Sequence, residues 1–344
     1  MKISQWFEEG IRQNEVYIIA EISQNHDGSL GQAHAFIDAV AETGVDAIKF
    51  QTHIAEAEST PDEPFRVKFS YEDATRYDYW KRMEFTYEQW EELYRHAEKA
   101  GLDFLSSVFS IEAFEMLQKI GIPAWKLGSG EVFNKYLVGK MVETGKPILL
   151  STGMSTYDDI DKQVELIKKN LYAVMQCTTA YPCPPEQIGL NVIPIMKDRY
   201  RCPIGLSDHS GTIFPSLAAV ANGALIIEVH VTMSPYMFGP DVKASVTIEQ
   251  LKEMTEGIRM ITRMLNAPID KADLKTEQRE LKNIFAKGIY LKKDIVKGEA
   301  LEIEKMSFKK PLKGISGEQY EDVTGKTAVR DLKQGEALQW SDIE

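Results

Sequence analysis

The chain alternates short, solidly apolar runs with longer stretches in which apolar positions recur every three or four residues. The first kind reads as strands buried on both faces and the second as amphipathic helices. In order, the runs are Val16 to Ile22, Ala47 to Gln51, Asp103 to Ser107, Ala124 to Leu127, Pro147 to Ser151, Tyr172 to Gln176, Cys202 to Leu206 and Ala224 to Ile227. Helical patterns separate them, for example Gly31 to Glu42, Glu88 to Lys99, Ile111 to Ile120, Asp158 to Lys169 and Pro215 to Asn222. Eight β-α units over about 265 residues match a closed (β/α)8 barrel in number and size. A doubly wound open sheet would bring a Gly-x-Gly-x-x-Gly turn after an early strand, and the sequence has none.

The polar residues that close these runs carry the candidate chemistry. They are Glu21, Lys49 and Gln51, Ser107, Lys126 and Ser129, Ser151, Thr178, Ser207 with His209, and Glu228 with His230. Barrel active sites lie at the C-terminal ends of the strands, although any single serine there also serves as a helix N-cap. His209 and His230 end neighbouring strands, which run about 4.8 Å apart. Their rings can converge on one metal ion and leave most of its coordination sphere to water or substrate. The alternative is two unrelated histidines, one capping a helix and one packed at a strand end. Lys49 and Lys126, with the hydroxyls of Ser107, Ser129, Ser151 and Ser207, outline an anion pocket for a phosphate and a carboxylate. Backbone N–H groups around Gly128 to Gly130 and after Ser151 add donors. Buried lysines are costly without an anion, so salt bridges to Glu21 or Glu131 are the competing explanation.

Between His53 and Glu84 runs a connection far longer than usual in such units. Its aromatic and basic residues (Phe65, Arg66, Lys68, Phe69, Tyr71, Arg76, Tyr77, Tyr79, Trp80, Lys81, Arg82) suit either a lid over the barrel mouth or a subunit contact. Past residue 266 the composition turns charged, which reads as a linker over 267–283. Residues 284–344 hold an internal repeat: Asp294 to Leu301 (DIVKGEAL) recurs as Asp331 to Leu338 (DLKQGEAL). That pattern describes a small, pseudo-symmetric β-rich domain after a barrel of residues 1–266.

Composition narrows the partners. Forty Lys and Arg against 52 Asp and Glu give a net charge of −12, which argues against nucleic acid and anionic membranes. Three cysteines without zinc-finger spacing, no apolar leader and no transmembrane-length run lead us to expect a soluble, cytoplasmic protein.

Taken together, the motifs resemble the N-acetylneuraminate (sialic acid) synthase family, which includes legionaminic and pseudaminic acid synthases. The matching segments are Glu21-Ile-Ser-Gln-Asn25-His26-Asp-Gly28, Lys49-Phe-Gln51, Lys126-Leu-Gly-Ser129-Gly-Glu131 and Ser151-Thr-Gly-Met154. They continue with Thr178 to Pro182, Gly205-Leu-Ser-Asp-His209, Glu228-Val-His230 and Gly239-Pro-Asp241. The tail resembles the antifreeze-like (SAF) domain of these enzymes. The resemblance implies condensation of phosphoenolpyruvate with a 2-acetamido hexose, N-acetylmannosamine-like, to a nine-carbon 2-keto acid and phosphate. A diacetamido-trideoxyhexose acceptor is the alternative, and a carbohydrate-binding protein on the same scaffold is the non-enzymatic one.

In family terms Lys49, Ser107, Lys126, Ser129, Ser151 and Ser207 hold phosphoenolpyruvate, and Gln51, Tyr181 and Asp241 face the sugar. Glu21 and Glu131 are the proton-transfer candidates. His209 and His230 hold a divalent cation, manganese first, with magnesium or cobalt as alternatives. The resemblance also implies a homodimer whose small domain crosses to the partner barrel and brings Lys310 over the sugar. Several positions depart from the common pattern, among them Ser107 for threonine, Thr179 for asparagine and Lys310-Pro311 for Arg-Pro. None removes the metal or anion residues, and together they point to the sugar as the variable part.

Overall fold

The computed structural model describes residues 1–344 and divides into two compact units, Met1–Ala267 and Pro268–Glu344. In the first, eight parallel strands follow one another around a closed barrel. They are β1 (Tyr17–Ser23), β2 (Ala47–Thr52), β3 (Asp103–Val108), β4 (Trp125–Leu127), β5 (Ile148–Ser151), β6 (Tyr172–Cys177), β7 (Ile204–Asp208) and β8 (Ile226–Thr232). Each pairs with the next, and β1 pairs with β8 to close the ring. The eight expected strands therefore stand, with two differences. β8 runs through His230 instead of ending before it, and a short ninth strand, β9 (Ser245–Thr247), extends the sheet beside β8. β9 was missed because three residues carry no readable period.

Alternation along each strand decides what fills the barrel. At the N-terminal end Tyr17, Ile19, Ala47, Leu105, Leu149, Ala173, Met175 and Ile226 form an apolar plug. The first helix, Ile3–Glu8, seals it from below with Ile3 and Trp6, and Asp103 Oδ2 accepts from both Ile3 N–H and Tyr17 O–H at 2.6 Å. Two positions further along the same inward rows the residues turn polar, so the apolar plug forms the floor of the site. Gly205 permits the close approach of β7 to β8, since a Cβ there would lie 2.8 Å from the Ile226 carbonyl oxygen. The outward rows pack under the surrounding helices, among them Leu30–Ala41, Tyr87–Lys99 and Ile248–Leu265.

In the second unit, β10 (Gly288–Leu291) and β11 (Met306–Lys309) form an antiparallel pair over an apolar core that includes Ile289, Ile295, Leu301, Leu332 and Leu338. The repeat is a structural pseudo-two-fold. Ile295 and Leu332 exchange backbone hydrogen bonds of 2.9 and 2.8 Å, Asp294 Oδ1 accepts from Gln334 N–H and Asp331 Oδ1 from Lys297 N–H, both at 2.8 Å. The charged stretch read as a linker carries a helix, Thr276–Phe285. Its exposed, charged face hides the period that would have shown it.

Candidate active site

Seven inward residues meet above the apolar floor. Pairing registers set Glu21 beside Lys49, Ser107 beside both Gln51 and Lys126, and Ser207 beside Glu228. Lys49 is ion-paired with Glu21, donates to Ser107 Oγ at 3.1 Å and lies 3.9 Å from Glu228. Lys126 donates to Glu228 Oε1 at 2.8 Å and to Ser207 Oγ at 3.4 Å. Two cations and two carboxylates thus compensate one another in full burial. Their protonation differs. Burial, opposed by Lys49, pushes the Glu21 carboxyl up to about 7. Burial acts on Glu228 in the same direction, but Lys126 and Lys49 outweigh it and bring that carboxyl down to about 2. Lys49 is held above its usual range because Glu21 and Glu228 overcome the cost of burying it. The salt-bridge explanation offered by the sequence holds for Lys49 and Glu21, but the partner of Lys126 is Glu228 and not Glu131.

Beside this cluster lies a small polar cradle. Ser129 Oγ contacts Ser151 Oγ at 3.3 Å and accepts the Gly153 N–H at 3.0 Å. A Cβ on Gly153 would stand 2.4 Å from Thr179 Oγ1, 2.7 Å from Ser129 Oγ and 3.0 Å from Cys177 Sγ. The backbone therefore approaches these side chains as only glycine allows.

The two histidines also converge. His209 follows β7 directly and His230 lies in β8, with ring centroids 5.0 Å apart. His209 Nδ1 meets the Thr178 carbonyl at 2.9 Å, which makes Nδ1 the donor and fixes the ring's orientation. His230 Nδ1 is buried with no partner. Burial, reinforced by the charges of His209 and Lys49, holds that ring well below the usual histidine range, so it is neutral. His209 is shifted the other way: burial lowers it, but Cys177 and the Thr178 carbonyl outweigh that and hold it above its usual value. Imidazoles are metal ligands once neutral, so this pair could hold a divalent cation in exchange for the His209 proton. Tyr181 stacks on His209 at 4.1 Å and presents its edge to His230 at 5.7 Å.

Over them opens a cavity of about 230 Å3, lined by Gln24, Gln51, Arg66, Tyr181, His230 and Asp241 among others. Its roof is the long connection, which folds as two short helices, Ala55–Glu58 and Arg76–Met83, joined by an irregular strap. Phe65, Phe69 and Trp80 face the cavity from it, and the Arg66 guanidinium lies 4.4 Å above the Tyr181 ring. Arg82 ties the strap down through Asp27 at 2.6 Å and Asp73 at 2.9 Å. The connection is a lid over the barrel mouth.

Asp241 accepts from Ser23 Oγ at 2.6 Å and so reaches the cavity. Glu131 does not join the lysine cluster. It opens the turn Glu131–Phe133, half-buried, where burial raises its carboxyl and Asn134 bonds it at 3.2 Å. Lys310 belongs to the second unit, with its ammonium 5.1 Å from the Phe285 ring. Sequence reasoning placed Glu228 among the strand-end groups and Arg66 in the long connection without a partner for either, and it gave no role to Gln24. For Glu228 the signal was present: it stands two residues before His230, on the same inward row.

A closed barrel thus carries a buried ionic cluster, a hydroxyl-lined turn and paired imidazoles at its C-terminal face, where barrel active sites lie. Comparison narrows the class. Residues 36–270 match the NeuB family and residues 286–344 the SAF domain. The chain is 35% identical over 329 residues to N,N'-diacetyllegionaminic acid synthase of Campylobacter jejuni, covering 93% of this chain and 98% of that one. It is 33% identical over 336 residues to a pseudaminic acid synthase of C. jejuni, covering 96% and 97%. The crystal structure of N-acetylneuraminic acid (sialic acid) synthetase from Leptospira borgpetersenii in complex with citrate superposes with a TM-score of 0.69 at 29% identity, over 78% of this chain and 90% of that one. The chain belongs to the NeuB family, and it is an enzyme of that synthase type.

Proposed function

We propose that this enzyme condenses phosphoenolpyruvate with an N-acetylmannosamine-like 2-acetamido hexose, giving a nine-carbon 2-keto sugar acid and phosphate. The observation that carries the reading is the adjacency of the Lys49–Lys126 cluster, suited to a phosphate and a carboxylate, to the paired imidazoles of His209 and His230. A binding module needs no such neighbourhood, which weighs against the non-enzymatic alternative. Those imidazoles would hold a divalent cation, manganese first. When bound, it supplies Lewis-acid polarisation of a carbonyl.

The chain's own residues do the rest. Lys49, Lys126, Ser107 and Ser207 bind the phosphoenolpyruvate anion, with Ser129, Ser151 and the Gly153 N–H lining its far side. Gln51, Tyr181 and Asp241 orient the open-chain sugar so that its aldehyde meets C3 of the enol. After carbon–carbon bond formation, water adds at C2, and the tetrahedral centre collapses with C–O cleavage to expel phosphate. Glu21, whose carboxyl sits near 7 against Lys49, is placed to hold and return the proton these steps exchange. Glu131 remains a second candidate, at the rim. The tail acts in trans, with Lys310 of one subunit over the sugar bound to the other barrel.

Similarity to synthases of legionaminic and pseudaminic acids favours a second reading of the acceptor, a diacetamido-trideoxyhexose. Mass spectrometry of products from phosphoenolpyruvate and a panel of 2-acetamido sugars tests both. A nine-carbon 2-keto acid from one of them is the expected result. Phosphoenolpyruvate left intact with every sugar would refute the proposal. Mixing a tail-deleted chain with His209→Ala chains should restore activity through heterodimers. Heterodimers that form without activity would refute the crossed arrangement.

A further inference from the structure

The cavity contains a buried group with an unmet hydrogen bond. Gln24 is 2% exposed and lines the cavity, yet its side-chain carbonyl has no donor. Buried polar atoms are normally met by protein, ordered water or a bound molecule, and this one faces the cavity. Its amide nitrogen is engaged, donating to Gln51 Oε1 at 3.2 Å. We propose that Gln24 is a specificity-determining residue, its carbonyl accepting an O–H or amide N–H of the sugar, and that Gln51, His53 and Glu58 hold it in that orientation. The assignment rests on the synthase reading above.

Orientation is set link by link. Gln51 Nε2 donates to Glu21 Oε1 at 3.1 Å, which turns the Gln51 carbonyl the other way. There it meets His53 Nε2 at 3.3 Å as well as the Gln24 amide. The other ring nitrogen, His53 Nδ1, lies 2.5 Å from Glu58 Oε1. Nδ1 faces a carboxylate oxygen and donates to it, which fixes the ring against Glu58. The His53 ring cannot turn: it is sandwiched between Trp80 of the lid at 4.0 Å and Phe109 at 4.4 Å, tilted by only 13° and 6°. Reversing the Gln51 amide would set its carbonyl against the Glu21 carboxylate oxygen it now donates to. Gln24 can therefore offer Gln51 only its own NH2, and its carbonyl is left to the cavity.

The chemistry recognised follows from that lone pair. A sugar carrying a donor at this point satisfies it, whereas an analogue lacking the donor leaves a buried carbonyl unmet and is rejected strongly. His53 and Glu58 touch no reacting atom, so they are positioning residues. They also join the lid to the specificity element, because Trp80 packs on the same ring that orients Gln51.

The test measures kcat/KM for a 2-acetamido hexose and its set of single-deoxy and N-substituted analogues, with phosphoenolpyruvate saturating. Wild type should lose about tenfold or more with one analogue. Gln24→Met, similar in length but without either polar end, should bring that ratio near one while KM for phosphoenolpyruvate changes less than about twofold. His53→Phe keeps the aromatic stack but donates nothing and should lose the same discrimination. His53→Gln, which retains a donor toward Gln51, should recover part of it. Full discrimination in Gln24→Met or in His53→Phe would overturn the proposal. If phosphoenolpyruvate binds but no sugar is turned over, the synthase reading fails, and this assignment with it.

Discussion

Lys126 and Glu228 face each other across the barrel interior, Nζ 2.8 Å from Oε1, from strands on opposite sides of the ring. In the proposed reaction this lysine would also meet the phosphoenolpyruvate anion. A buried ammonium needs a counter-charge, and an incoming trianion competes for the same lysine.

Glu228→Gln should accordingly lower stability, since leaving one member of a buried pair alone costs on the order of 3–5 kcal/mol. Phosphoenolpyruvate should compensate. In a thermal-unfolding assay the substrate should raise Tm more in the variant than in wild type. An equal or smaller shift would mean that the anion does not approach Lys126.

Gly153→Ala tests the cradle. Its new methyl would displace Thr179 and Ser129 side-chain oxygens now within 2.7 Å of the Cβ position. The KM for phosphoenolpyruvate should rise roughly ten- to hundredfold, as for a lost hydrogen bond to a charged group, with a smaller effect on the sugar. Isothermal titration with phosphoenolpyruvate alone gives the same comparison without turnover. Wild-type affinity in the variant would remove this turn from the pocket.

The proposed metal site at His209 and His230 makes activity depend on a divalent cation. Chelator should abolish condensation and Mn2+ should restore it. The spectrum of protein-bound Mn2+, read by electron paramagnetic resonance without substrate, should disappear in His209→Ala and His230→Ala. Full activity in chelator, or unchanged Mn2+ binding in both variants, would contradict this.

A separate pH effect belongs to His26. Its ring is fully buried against Phe85, with Nδ1 accepting the Gly28 N–H at 3.1 Å. Burial, with His53 and Arg82 nearby, brings its pKa from 6.5 down to about 3. The unfolded chain takes the proton first, so this contribution to stability is complete above about 6.5 and is lost as pH falls toward 3. By pH 5 the loss is about 2 kcal/mol. Urea unfolding of wild type and His26→Leu at pH 7 and pH 5 should show a pH difference smaller by that amount in the variant. Equal differences would refute the assignment.

Much of this arrangement was legible in the chain itself. Eight apolar runs with polar last residues indicate a barrel and its working face, because period-two alternation makes Glu21, Lys49, Lys126 and Ser207 point inward together. His209 and His230 could be paired from strand register alone. What stayed hidden depends on contacts between distant segments. Gln24 looks like one more polar loop residue until its carbonyl is found buried and unmet. Arg66 stands in a strap without period, and only folding of that strap lays it on Tyr181. Glu131, adjacent in sequence to the cradle serines, turns out to the rim because the short turn that begins at it carries it away from the lysines.

The decisive measurement follows the bridging oxygen of phosphoenolpyruvate. With 18O at the C–O–P position, condensation by attack of the enol and collapse at C2 must deliver the label to phosphate. We expect labelled phosphate, released only when a 2-acetamido sugar is present and in step with the nine-carbon 2-keto acid. Unlabelled phosphate, or release at the same rate without the sugar, would contradict the synthase assignment.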